Sequence, residues 1–172
     1  MRRATTHHPA ETWPSDQAED SITLDFDARH RRRIVLTADS GAEFLLDLDR
    51  AVAMGEGDGL CLEDGGWIAV RAAPEPVIEI TAATPELLLR LGWHIGNRHL
   101  PAEITAGAIY IRPDKVIEDM LRDLGANLAP KERPFQPEGG AYGQDKPGAH
   151  DHGHGHSHEH DNGHSHGHGH EH

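Results

Sequence analysis

The sequence has a single cysteine, few aromatic residues and an excess of acidic over basic side chains. One cysteine, Cys61, excludes an intramolecular disulfide, a Cys-X-X-Cys redox pair and a cysteine-rich zinc finger. The 16 Lys and Arg residues against 29 Asp and Glu residues give a net charge of −13, which argues against binding to nucleic acid or to anionic lipid. No apolar run reaches the roughly 18 residues that a membrane-spanning helix needs. We therefore expect a protein that binds neither nucleic acid nor membrane.

Apolar residues are concentrated in the middle of the chain, which predicts where it folds. Residues 1–20 and 136–172 contain few of them, so we expect both segments to be disordered because they bury too little surface to offset chain entropy. The first 20 residues also lack the apolar stretch of a secretory signal, and we expect a cytoplasmic protein. The segment between the two ends is expected to fold.

Residues 21–73 have the pattern of a small β-domain. Short alternating runs at 21–26, 33–36, 43–48, 60–63 and 67–71 are separated by polar or glycine-containing turns. No helical periodicity interrupts them. The segment 74–76, Pro-Glu-Pro, is interpreted as a stiff linker to a second domain.

Residues 77–135 predict a different, mixed domain. Thr84 followed by proline and glutamate is typical of a helix start, and Asp114 is expected to cap a second helix. Alternating runs at 77–81, 100–105, 108–111 and 127–135 are expected to be strands. The resulting order, β-α-β-β-α-β, is the ferredoxin-like plan. The predicted fold class is therefore α+β: a small β-domain, a ferredoxin-like domain and a His-rich tail.

Eleven of the sixteen histidines lie in the last 23 residues, without any apolar or basic residue among them. Within each of two runs, 150–160 and 164–172, histidine occupies every second position, which places successive imidazoles on one side of an extended chain. The intervening glycines let the backbone bend around an ion. Neutral imidazole is a ligand for Ni, Zn, Cu and Fe. A purification tag and a pH sensor are the alternatives. The candidate metal ligands are His150, His152, His154, His156, His158, His160, His164, His166, His168, His170 and His172.

His99 is the candidate ligand within the folded part. It follows the predicted exit of the first helix and lies near Pro101, which favours an exposed side chain. One imidazole cannot form a tight site, so a symmetric dimer that pairs two copies of His99 is an economical arrangement. His94 is interpreted as a structural residue.

The basic run at residues 29–33, Arg-His-Arg-Arg-Arg, leaves two interpretations open. It is either a solvated strand edge, where basic residues discourage aggregation, or a docking patch for an acidic partner. The sequence contains no G-x-S-x-G, P-loop, H-E-x-x-H or dinucleotide-binding glycine motif. No catalytic residue is predicted, and the protein is not expected to be an enzyme.

The chain resembles the UreE urease accessory proteins. The similarity is carried by residues 29–33, 41–43, 56–58, 73–77, 93–101 (Trp-His-Ile-Gly-Asn-Arg-His-Leu-Pro) and 116–125. It implies an N-terminal β-domain and a ferredoxin-like metal-binding domain that mediates homodimerisation, with nickel bound by His99 at the dimer interface. Many relatives have further histidines just before the second helix, whereas residues 111–115 here have none.

The resemblance also implies a function, a cargo and partners. The expected function is that of a metallochaperone that delivers Ni²⁺ during urease maturation, with Zn²⁺ or Cu²⁺ as other possible ions. The expected partners are the urease accessory GTPase (UreG) and the apo-urease activation complex. The alternative is a storage or detoxification protein that buffers Ni, Zn or Cu, because the divalent affinity order places Cu²⁺ above Ni²⁺ at imidazole ligands.

Overall fold

The computed structural model describes residues 1–139, which form two β-sheets with separate apolar cores. The strands of the first sheet are β1 (Arg2–His8), β2 (Ala18–Leu24), β3 (His30–Thr37), β4 (Glu43–Ala53), β5 (Gly59–Leu62) and β6 (Trp67–Ala72). Their spatial order is β2-β6-β5-β1-β4-β3. A short 3-10 helix, Ser15–Gln17, precedes β2.

Strand β4 shows why these residues form a half-buried sheet. Phe44, Leu46 and Leu48 are buried at every second position, which places them on one face of the pleated strand. Ile68 and Val70 of β6 belong to the same apolar core. The β-rich character expected for this part of the chain is confirmed.

The expectation that residues 1–20 are disordered is wrong. Strand β1 lies inside the first sheet, parallel to β4 and antiparallel to β5. Only Ala4 of this strand is fully buried, so the apolar content of the strand did not indicate that it would be ordered. Its order instead follows from backbone pairing with two neighbours that are distant in sequence.

The second sheet has the ferredoxin-like arrangement. Its elements are β7 (Pro74–Thr81), α1 (Pro85–Gly96), β8 (Glu103–Ile104), β9 (Ile109–Ile111), α2 (Lys115–Asp123) and β10 (Asn127–Pro134). The strands lie in the order β10-β7-β9-β8, and every pair is antiparallel. The expected β-α-β-β-α-β order is confirmed.

Both predicted helix caps are present. The Thr84 hydroxyl accepts the backbone N–H of Leu87 at 3.2 Å. The Asp114 carboxylate accepts the backbone N–H groups of Val116 and Ile117 at 2.9 and 3.1 Å. These bonds satisfy donors that have no partner inside the helix. The buried faces of the helices pack on the second sheet through Leu91, Ile95, Ile117 and Leu121.

Residues 74–76 are not a separate linker, because they form the start of β7. Pro74 and Pro76 pair with Pro134 and Glu132 of β10. On the opposite side, β9 reaches only Ile78–Ile80. The prolines therefore occupy a part of the strand that needs backbone bonds on one side only, which a sheet tolerates.

Arg29 contradicts the expectation that the whole 29–33 run is solvated, because only 4% of the Arg29 surface is exposed. Its guanidinium donates to the carbonyl of Met54 at 3.1 Å and to the carbonyl of Phe135. Its Nε has no hydrogen-bond partner among residues 1–139, and burial lowers the pKa of the guanidinium. The Phe26 ring contacts the Phe135 ring edge to face, with centroids 5.4 Å apart. Arg29 and Phe135 thus join the end of β10 to the first sheet.

The segment expected to be disordered from residue 136 onward begins with ordered contacts. The Gln136 N–H donates to the Glu103 carboxylate and the Glu138 N–H to the carbonyl of Ala102, at 2.9 and 2.8 Å. These bonds fix the chain up to residue 138. Over residues 1–139, neither helix has the length and apolar character that a membrane crossing requires.

Candidate functional site

His99 lies in a tight turn that follows α1. The backbone N–H groups of Asn97, Arg98 and His99 donate to the carbonyls of Trp93, Ile95 and Gly96, each at 3.0 Å. The Arg98 guanidinium also donates to the carbonyl of His94 at 2.9 Å. The end of the helix and the turn are therefore held by a continuous set of hydrogen bonds.

The backbone of His99 has a left-handed conformation, with φ of +55°. Only a few per cent of non-glycine residues have positive φ, and histidine is enriched among them. The imidazole of His99 is exposed, as expected from the sequence. A fixed backbone with an exposed ring leaves the ring free to bind a ligand without a large loss of backbone entropy.

Exposed apolar side chains lie on α1, which precedes this turn in the chain, and on β8, which follows it. Leu89 and Trp93 are four residues apart on α1 and are 75% and 66% exposed. Ile104 of β8 is 57% exposed. An open groove of 540 Å³ is lined by Leu89 and Ile104, together with Leu88, Gly92 and Ile109. The His94 ring contacts the Trp93 ring edge to face, with centroids 5.0 Å apart.

The described residues of one chain, 1–139, do not complete a metal site around His99. Among residues 1–139, no three His, Cys, Asp or Glu side chains are grouped so that they could hold an ion. Residues 111–115 contribute no imidazole, and their Asp114 carboxylate is engaged as the cap of α2. Additional ligands for an ion at His99 have to come from a second copy, from the tail or from a partner.

The eleven tail histidines, His150 to His172, lie outside the described residues. Four other histidines lie within residues 1–139, and the closest polar contact among them joins His7 to Asp58. Their side chains meet at 2.6 Å in a part-buried position between β1 and the start of β5. The sequence did not predict this pair because the two residues are 51 positions apart.

Asp58 is nearly buried, and burial alone would raise the pKa of its carboxyl. The hydrogen bond with His7 and the backbone N–H groups of Gly55 and Ala10 together outweigh burial, so the pKa lies below its usual value. These three hydrogen-bond partners account for the ionised Asp58 carboxylate without a metal ion.

Comparison with known proteins identifies both halves of the chain. A family model described as UreE urease accessory protein, N-terminal domain, matches residues 2–73, and its C-terminal-domain counterpart matches residues 75–161. The urease accessory protein UreE of Azorhizobium caulinodans is 60% identical over 127 residues, which cover 74% of this chain and 61% of that relative.

Two other relatives have the same description. UreE of Rhodopseudomonas palustris strain HaA2 is 51% identical over 149 residues, covering 87% of this chain and 69% of the relative. UreE of Rhodobacter capsulatus is 46% identical over 151 residues, covering 88% of this chain and 93% of the relative. The similarity therefore includes both sheets and extends into the tail.

Proposed function

This chain belongs to the UreE family of urease accessory proteins and has a role in urease maturation. From that premise we propose that it carries Ni²⁺ as its cargo and delivers the ion to the urease active site. It does so as a metallochaperone, without catalysing a reaction. The metal is held by labile imidazole ligands, which exchange more readily than a closed thiolate cage.

The position of His99 carries this proposal. The turn bonds fix the backbone at φ +55°, and the imidazole is exposed at the end of α1. Borderline ions such as Ni²⁺ bind neutral imidazole. A single ring is a weak ligand, whereas two rings fixed by symmetry can bind one ion without the entropy cost of ordering a flexible loop.

A homodimer through the second domain would supply the second imidazole. Leu89, Trp93 and Ile104 form an exposed apolar surface on the same domain as His99. Exposed apolar clusters of this kind favour protein–protein contact, and a two-fold axis near the turn would place two copies of His99 together. The apolar surface would stabilise the dimer, and the imidazoles would bind the metal.

The tail would gather nickel and pass it to this central site. Its eleven histidines could bind on the order of two or three ions at roughly four ligands per ion. Since protons and metal compete for the same nitrogen, the tail would release ions as the pH falls. The expected recipients are the accessory GTPase UreG and the apo-urease activation complex, and the expected location is the cytoplasm.

The proposal is tested by isothermal titration of Ni²⁺ into three full-length proteins. These are the unmodified chain, His99→Asn, and a chain in which all eleven tail histidines are replaced by asparagine. We expect the tail-substituted protein to retain its tightest site and His99→Asn to lose it. Retention of the tightest site by His99→Asn would contradict the assignment.

A further inference from the structure

The stretch of chain that contains His99 has no acidic residue. Residues 87–102 include Arg90, Arg98 and two histidines but neither aspartate nor glutamate, although the whole chain has 29 acidic residues and a net charge of −13. Carboxylate oxygens are the usual protein ligands of hard cations such as Mg²⁺ and Ca²⁺. From this stretch, a cation at His99 would therefore meet imidazole and positive charge but no carboxylate.

The last carbonyl groups of α1 are a source of negative potential near His99. The carbonyls at the end of a helix lack partners within the helix and together carry about half an elementary negative charge. This potential favours cations within the last turn. His99 comes shortly after Gly96, the last residue of α1. A metal ion at His99 would therefore be stabilised by the end of the helix unless another positive charge already lies there.

Arg98 places such a charge at the end of α1. Its guanidinium donates to the carbonyl of His94 at 2.9 Å, and its backbone N–H donates to the carbonyl of Ile95 at 3.0 Å. Within residues 1–139 the Arg98 guanidinium has no carboxylate partner. Its positive charge is therefore held at the end of the helix, on the residue next to the candidate ligand His99.

A positive charge held at this place opposes a bound divalent cation. The repulsion is proportional to the product of the two charges, so it is twice as large for Ni²⁺ as for a monovalent ion. In the proposed dimer, two copies of Arg98 would act on one ion. Water weakens each interaction, but the repulsion persists within about 10 Å, which is the screening length at 0.1 M salt.

From this placement we propose that Arg98 lowers the affinity of the His99 site for nickel. Arg98 does not bind the ion but competes with it for the negative end of α1. The inference rests on the proposed nickel site at His99 and adds a feature to it. A carrier passes its ion only to a site that binds the ion more tightly, so a lowered affinity favours delivery.

Isothermal titration of Ni²⁺ at 0.1 M NaCl tests the proposal in the full-length protein whose eleven tail histidines are replaced by asparagine. Arg98→Gln removes the charge, and we expect it to bind nickel roughly fivefold more tightly than this parent protein. Arg98→Lys keeps the charge and should bind as the parent does. The matched control, Arg90→Gln, removes an equal charge about two turns earlier on α1, beyond the screening length, and should bind as the parent does too.

The sign of the change and its salt dependence distinguish a charge effect from a structural role. Loss of a residue that only stabilises the turn would weaken nickel binding, whereas loss of a repelling charge strengthens it. At 1 M NaCl the screening length falls to about 3 Å, so the gain of Arg98→Gln should disappear. Equal or weaker binding by Arg98→Gln at 0.1 M NaCl would overturn the proposal. An equal gain for Arg98→Lys, or a gain that persists at 1 M NaCl, would also overturn it.

His99→Asn in the same tail-substituted protein separates this inference from the proposed function. If His99→Asn keeps the nickel site, the proposed function fails and this inference fails with it. If His99→Asn loses the site while Arg98→Gln binds as the parent does, the proposed function stands and only this inference is overturned.

Discussion

The side chains of His7 and Asp58 form a 2.6 Å hydrogen bond that ties strand β1 to the turn before β5. The same carboxylate accepts the N–H groups of Ala10 and Gly55 at 2.8 and 2.7 Å. Two segments that are distant in sequence, residues 7–10 and 55–58, therefore meet at one nearly buried acidic group. This contact explains how a first strand with little apolar surface is held in the sheet.

Replacing Asp58 should destabilise the first domain. We expect Asp58→Ala to lower the free energy of unfolding by about 3 kcal/mol, because it leaves the His7 ring and two backbone donors without their acceptor. Urea unfolding followed by tryptophan fluorescence measures this, and Asp16→Ala at an exposed position is the control. Equal midpoints for the two variants would contradict the role of Asp58.

The contribution of Asp58 should depend on pH in a defined direction. Its pKa is lower in the folded protein than the ordinary value of 3.8. Its ionised form therefore stabilises the fold at pH values above 3.8, and this stability is lost as the pH falls through the folded pKa. The difference in unfolding free energy between the unmodified protein and Asp58→Asn should be present at pH 5 and shrink below about pH 4. A difference that grows on acidification would contradict this sign.

Arg29→Ala should loosen the junction between the two sheets. The substitution removes the donors to the carbonyls of Met54 and Phe135. It should lower the free energy of unfolding by about 3 kcal/mol, because both acceptors are buried. Hydrogen exchange in β10 should increase more than exchange in α1. Arg71→Ala on the exposed side of β6 is the control and should change neither.

The fold was predictable wherever the signal is local. The caps at Thr84 and Asp114 and the order of the second domain follow from short-range patterns. Strand β1 and the inclusion of Pro74 in β7 depend on pairing with distant strands, which no local pattern encodes. Similarly, the 29–33 run reads as uniformly basic, but only the tertiary contacts show that Arg29 is buried while Arg31 is exposed.

For the candidate site, the sequence predicts that His99 is the exposed residue but does not predict its left-handed backbone conformation. The position of His99 after the helix and near Pro101 indicates an exposed ring, whereas its positive φ depends on the turn bonds that follow α1. The metal-ligand role of His99 and of the tail histidines stays a prediction.

Substitutions at His99 should distinguish the effect of this residue on the stability of the turn from its effect on nickel binding. His99→Asn should leave the midpoint of thermal unfolding nearly unchanged, because asparagine tolerates left-handed geometry, but should weaken nickel binding. His99→Val should lower the free energy of unfolding by about 1–2 kcal/mol, because a β-branched residue is strained at φ +55°. Equal stability of the two variants by calorimetry would contradict the strained turn.

If the proposed dimer forms through this surface, Trp93→Glu should shift it toward monomers while leaving the fold of each chain intact. The side chain is 66% exposed, so little buried area is lost within one chain, whereas two charges near a two-fold axis would repel each other. Val116→Glu changes a 76%-exposed residue on α2 and is the matched control. Sedimentation velocity measures both, and a dimer that tolerates Trp93→Glu would argue against this surface.

Native mass spectrometry of the full-length protein with its eleven tail histidines replaced by asparagine tests the central claim most directly, since it counts subunits and ions together. We predict a dimer that binds one Ni²⁺ ion, and loss of that ion when His99→Asn is added. A monomer that binds nickel, or a dimer that keeps its ion without His99, would contradict the account.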